Sequence, residues 1–125
     1  MLGLRPVSTR TRVTGIALAL PEATAEGGQH IGFKVRGRSF AWYQEDHHGD
    51  GRISLVVKAA PGEAAALIAA APDRLHVPHY LGARGWVGVW LDTETVDWDE
   101  VTELLTESYL LVAPKRLAAR VTPGG

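Results

Sequence analysis

Between residues 31 and 58 the chain alternates apolar and polar residues with a period of two. Ile31, Phe33 and Val35 alternate with Gly32, Lys34 and Arg36, and Gly37 then supplies a turn. Phe40 and Trp42 continue with aromatic strand formers. "EDHHGDG" (45–51) is a polar connection carrying the glycines a tight turn needs. Ile53, Leu55 and Val57 then alternate with Arg52, Ser54 and Lys58. Successive side chains of a strand point to opposite faces, so this pattern marks strands with one buried face. It predicts a three-strand antiparallel meander near 31–36, 39–45 and 52–58, with an earlier strand through Glu26–His30.

The flanking segments change period. Val13, Ile16, Ala17 and Leu20 recur at helical spacing, with Ser8 or Thr9 placed to cap the helix and Pro21 to end it. Pro61 suits a first helical turn, and "GEAAALIAAA" is helix-forming until Pro72. "RLHVPHY" reads as extended because Pro78 biases Val77 away from helix. Gly82 and Gly85 permit turns, and Trp86–Leu91 alternates again as a strand. Asp97 with Glu100 forms a capping-box-like start to a helix whose inner stripe is Val101, Leu104, Leu105, Ser108 and Val112. Pro114 stops that helix, and "PKRLAAR" predicts a further turn or two. Clustered strands with separate helices indicate an α+β fold in two layers, an antiparallel sheet with helices on one face.

At 125 residues, 46% hydrophobic and 22% charged, the chain reads as one globular domain over 1–125, with its core about 8–118 and loose ends at 1–7 and 119–125. The absence of cysteine excludes disulfides, thiolate catalysis, iron–sulfur clusters and Cys-based zinc sites. No apolar run approaches the ~20 residues of a membrane helix. Arg5, Arg10 and Arg12 break up any secretory apolar core. The expectation is a cytoplasmic protein without a membrane partner. Net charge is −1, from 13 basic and 14 acidic residues, so a nucleic-acid role requires an uneven charge distribution.

No Ser, His and Asp set has the spacing of a nucleophile motif, and the expectation is a non-enzyme without catalytic residues or cofactor. Asp46, His47, His48 and Asp50 crowd one loop. Adjacent histidines at a strand end diverge, and the spacing fits neither a two-His helix motif nor a calcium loop, so no metal site is expected. Asp92, Glu94, Asp97, Asp99, Glu100, Glu103 and Glu107 read as the exposed face of the last helix and its approach. In "HVPHYLGARGWVGVWLD" (76–92), Val87, Val89 and Leu91 share one strand face and Trp86 and Trp90 the other. His76 and His79 flank the Pro78 kink, and a folding role explains most of this stretch.

Strand parity carries the sharpest functional signal. If Ile31, Phe33, Val35, Ile53, Leu55 and Val57 face the helices, then Lys34, Arg36, Arg52 and Lys58 face away, with Arg38 at the hairpin tip. Trp86 and Trp90 fall on the same side. Cations that contact phosphates beside rings that stack on bases make a candidate nucleic-acid surface. The plainer reading is a solvated sheet face with charged edge guards. The alternative from another class is a small-ligand or protein-interaction edge made of His79, Tyr80, Arg84 and Trp86.

"ALALPEAT", "FKVRGRSFAW", "RISLVVK", "PHYLGARGWVGVWL" and "DWDEVTELLTESYLLVAPKRL" follow one another in order and spacing over roughly residues 14–118. Together they resemble the MmcQ/YjbR-like (DUF419) family of small bacterial proteins, most specifically in "PHY…RGWV" and "SYLLVAPKRL". The resemblance implies a compact α+β fold of the frataxin-like (YjbR/CyaY) type. It implies DNA as the partner, through a double-wing arrangement. It carries no catalytic motif. Fold likeness to frataxin does not by itself imply iron binding.

Overall fold

The computed structural model describes residues 8–46, 49–78 and 84–121. Its elements run α1 (Thr9–Leu18), β1 (Ala23–Gly27), β2 (Ile31–Val35), β3 (Arg38–Glu45), β4 (Ile53–Lys58), α2 (Ala64–Ala70), β5 (Leu75–His76), β6 (Trp86–Trp90), α3 (Trp98–Val112) and α4 (Lys115–Ala118). The strands form one six-stranded sheet in the order β1-β2-β3-β4-β6-β5, antiparallel at every pairing. α3 packs across β3 and β4, and α1 packs on β1 and α3. The α+β, two-layer expectation holds.

The core follows the predicted parity. Phe33, Val35, Leu55, Val57 and Val89 line the inner sheet face. Val101, Leu104, Leu105, Ser108 and Val112 of α3 are buried over them together with Tyr109. Phe40 and Tyr109 meet edge to face at 5.5 Å. Val13 and Ala17 bring α1 into the same cluster.

Local chemistry moves several boundaries. The first strand is Ala23–Gly27, not 26–30, because a tight turn follows it. Gly27 has φ +126°, and a Cβ there would stand 2.1 Å from the His30 carbonyl oxygen. α2 starts at Ala64 because Gly62, at φ +81°, interrupts any helix from Pro61. Arg36 lies in the turn, not in β2. Val35 pairs directly with Arg38, and the two residues between them, Arg36 at φ +51° and Gly37 at φ +78°, both take the positive φ that a type I′ hairpin demands. Asp97 caps α3 by accepting from the Asp99 and Glu100 amides, both at 3.1 Å. Glu100 does not reach back as a capping box would; its carboxylate takes the Arg74 guanidinium at 2.8 and 3.0 Å.

Candidate nucleic-acid interface

The two ends of the sheet carry opposite charge. The β2–β3 turn, the end of β4, the start of β6 and the end of α3 meet at one end. Lys58 pairs with Trp86. The Lys58 amide donates to the Ser108 hydroxyl at 2.8 Å, and that hydroxyl donates to the Phe40 carbonyl at 2.5 Å. This end gathers Lys34, Arg36, Arg38, Lys58, Arg84, Lys115, Arg116 and Arg120 against Glu22, Glu26, Glu63 and Glu107. At the other end Arg10, Arg12, Arg52 and Arg74 stand among the larger share of the acids, from Glu45, Asp46 and Asp50 to Asp92, Asp97, Asp99 and Glu100. The net charge of −1 thus conceals a strongly dipolar molecule. α3 is oriented to match, with Asp99 and Glu100 in its first turn and its C-terminus at the basic end.

Pairing divides the same way. At the acidic end Arg52 grips Asp92 at 2.8 and 2.9 Å, Arg74 grips Glu100, Arg10 reaches Glu45 at 3.5 Å, and Arg12 lies 4.5 Å over the Trp98 ring. At the basic end Lys34 pairs with Glu26 at 3.5 Å and Arg36 with Glu22 at 2.6 and 3.1 Å. Among the described residues, Arg38, Lys58, Arg84, Lys115, Arg116 and Arg120 make no ion pair.

The Arg52 hydrogen bonds hold the Asp92 carboxyl below the usual carboxylate range, against a smaller opposing effect of burial. Arg36 does the same to Glu22. Both pairs therefore contribute above the ordinary carboxylate range and are lost only as pH falls through the lowered values. A chemical-shift titration of the Asp92 carboxyl should show a midpoint below that of an unpaired aspartate, and Arg52→Ala should raise it.

The predicted cations do not act as one patch. Arg52 immediately precedes β4 and Lys58 closes it, so at ~3.3 Å per residue they stand about 20 Å apart, twice a Debye length of ~10 Å. Arg52 is also stacked on Trp90 at 3.8 Å, while His76 stacks on that ring at 3.7 Å and 18°. By register Arg52 comes from the Asp92 side and His76 from the Gly88 side, so Trp90 is enclosed between them. Lys34 and Lys58 lie on the outer face near the hairpin end, with Trp86 beside Lys58, while Arg38 pairs with the inward-facing Val35 and so begins β3 on the helix side.

Ser54 and His76 were not singled out by their spacing, yet the Ser54 hydroxyl and His76 Nε2 lie 2.8 Å apart. Gly88 makes the contact possible. The His76 ring crosses β6 over Gly88, where a Cβ would stand 2.2 Å from ring atoms. Gly88→Ala should displace the ring, break the Ser54 bond and the Trp90 stack, and cost about 1–3 kcal/mol in urea unfolding. A cost under ~0.5 kcal/mol would mean the ring repacks freely. No local pattern signals this pair, because it spans three strands. Lys115, Arg116 and Arg120 also went unnoticed; α4 and the turn after it bring them to the basic end.

His47, His48, His79 and Tyr80 lie outside the described residues. Among the described residues no group of three His, Cys, Asp or Glu is placed to hold a metal. Among the described residues no helix is long and apolar enough to cross a membrane.

The profile of the YjbR family matches residues 18–111. The chain belongs to the YjbR family. Among solved structures it is similar to the Deinococcus radiodurans protein DR2400, a DUF419 domain. The two share 26% identity with a TM-score of 0.69, over 90% of this chain and 91% of that one. No curated protein matches the chain.

Proposed function

We propose that this YjbR protein binds DNA weakly and without sequence preference, as a binding protein and not an enzyme, through the basic end of its sheet. One observation carries the reading: the described cations with neither an ion pair nor a ring partner all lie at that end, while at the acidic end Arg10, Arg52 and Arg74 are ion-paired and Arg12 lies over Trp98. An exposed ion pair is worth little in stability, but it occupies the guanidinium that a phosphate would otherwise take. Arg38, Lys58 and Arg84 are thus preferred over Arg36 and Arg52 as phosphate contacts. A cytoplasmic location goes with this reading, in keeping with a chain free of cysteine.

Three phosphate contacts give a log–log salt slope of roughly −3 on duplex. Replacing Arg38 and Lys58 together by Ala should flatten it by about two units, while Arg52→Ala leaves it unchanged. Affinity near physiological salt should be about micromolar at best. Absence of salt-sensitive binding even at low ionic strength would sink the reading.

A second reading is favoured by a cleft of about 270 Å³ lined by Leu67, Leu104, Leu110 and Leu111, with Lys58, Glu63 and Glu107 as its charged residues. It would suit a small, largely apolar ligand. A rise in unfolding temperature with such a ligand, and none with oligonucleotides, would favour it.

A further inference from the structure

The sheet face turned away from the helices is not a simple polar surface. The register places Trp42, Val56 and Trp86 on it, and Val56 is fully buried there. Trp90 is on the same face but enclosed by Arg52 and His76, and Trp98, at the start of α3, lies under Arg12. Trp42 and Trp86 differ from both. All four are partly buried, but among the described residues neither Trp42 nor Trp86 has an aromatic or cationic ring partner. Trp42 packs its benzo edge against Gly32, where a Cβ would stand 2.7 Å from the ring. Trp86 sits opposite Lys58, which has no ion pair.

We infer that this face takes unpaired bases, so that single-stranded nucleic acid is the preferred partner and Trp42 and Trp86 are its stacking platforms. The inference rests on the reading of the basic end as phosphate-binding. An indole without a ring partner on an open sheet is costly to leave against water, and a base offers it a π-face of matching size. A duplex keeps its bases stacked internally and presents only phosphates and groove edges to a flat sheet. A single strand can splay its bases onto the sheet while Lys58, opposite Trp86, holds its backbone. Four-stranded sheets that carry aromatic residues on an open face bind single-stranded RNA by this physical route.

The test compares fluorescently labelled oligo-dT with the same strand annealed to oligo-dA, by anisotropy at several salt concentrations. The single strand should bind more tightly. Trp86→Leu should weaken it about 5- to 150-fold while leaving duplex binding within about twofold. Trp86→Phe, which keeps a π-face, should restore most of the loss. Trp42→Leu should act in the same direction; because Trp42 packs on Gly32, its fold is checked by circular dichroism, and Trp86 carries the test if Trp42→Leu unfolds. Equal, salt-sensitive binding of both forms, indifferent to the Trp86 variants, overturns the inference and leaves the phosphate-binding reading standing. Absence of salt-sensitive binding of either form overturns both.

Discussion

Ser108→Ala is expected to destabilise the protein by about 2–4 kcal/mol, far more than the loss of one hydroxyl suggests. Ser108 is fully buried on α3. Its oxygen accepts from the Lys58 amide and donates to the Phe40 carbonyl, so one side chain satisfies backbone groups of both β4 and β3. Phe40 lies just beyond the Ala41–Val57 pair, where the β3–β4 ladder ends. Alanine would leave a buried donor and a buried acceptor without partners, each costing roughly 1–3 kcal/mol. Equilibrium urea unfolding measures the effect as a lower midpoint at unchanged slope. A cost below ~0.5 kcal/mol would mean that the two strands close on each other once the hydroxyl is gone.

Leu105→Ala should cost about 2–5 kcal/mol. Leu105 is fully buried on the inner face of α3, in the cluster that includes Phe33, Val57 and Val101. The cost has two parts, the lost transfer of the removed methyl groups from water and the cavity left where a helix and a sheet cannot both relax inward. Leu111, on the same helix, is 42% exposed and provides the control. Leu111→Ala should change stability by less than about 1 kcal/mol. Equal effects of the two substitutions would contradict the orientation of α3.

Much of this architecture was legible in the residues. Ile31, Phe33, Val35, Leu55 and Val57 face inward as their alternation requires, because a strand in a one-sided sheet has only two faces to choose from. The α3 stripe from Val101 to Val112 reads out equally well, since helical spacing returns those residues to one side. The candidate site was legible only in part. Parity placed Lys34, Lys58, Trp86 and Trp90 away from the helices, and the register agrees.

Distance along the chain said nothing of which cations would find carboxylates. Arg52 meets Asp92 forty residues on, and Arg36 meets Glu22 fourteen residues back. The outward position of Trp42 was hidden for a different reason. A bulge between Phe33 and Lys34 shifts the β2–β3 register, so Phe40 lies in the core while Trp42, two residues later, faces out. Period-two reasoning assigns those two residues to one face. Local spacing therefore decided which surfaces are buried, because burial follows from backbone geometry repeated at every residue. The sorting of paired from unpaired cations, and of enclosed from open tryptophans, came only with the tertiary structure. Those contacts form between residues that only the packed sheet brings together.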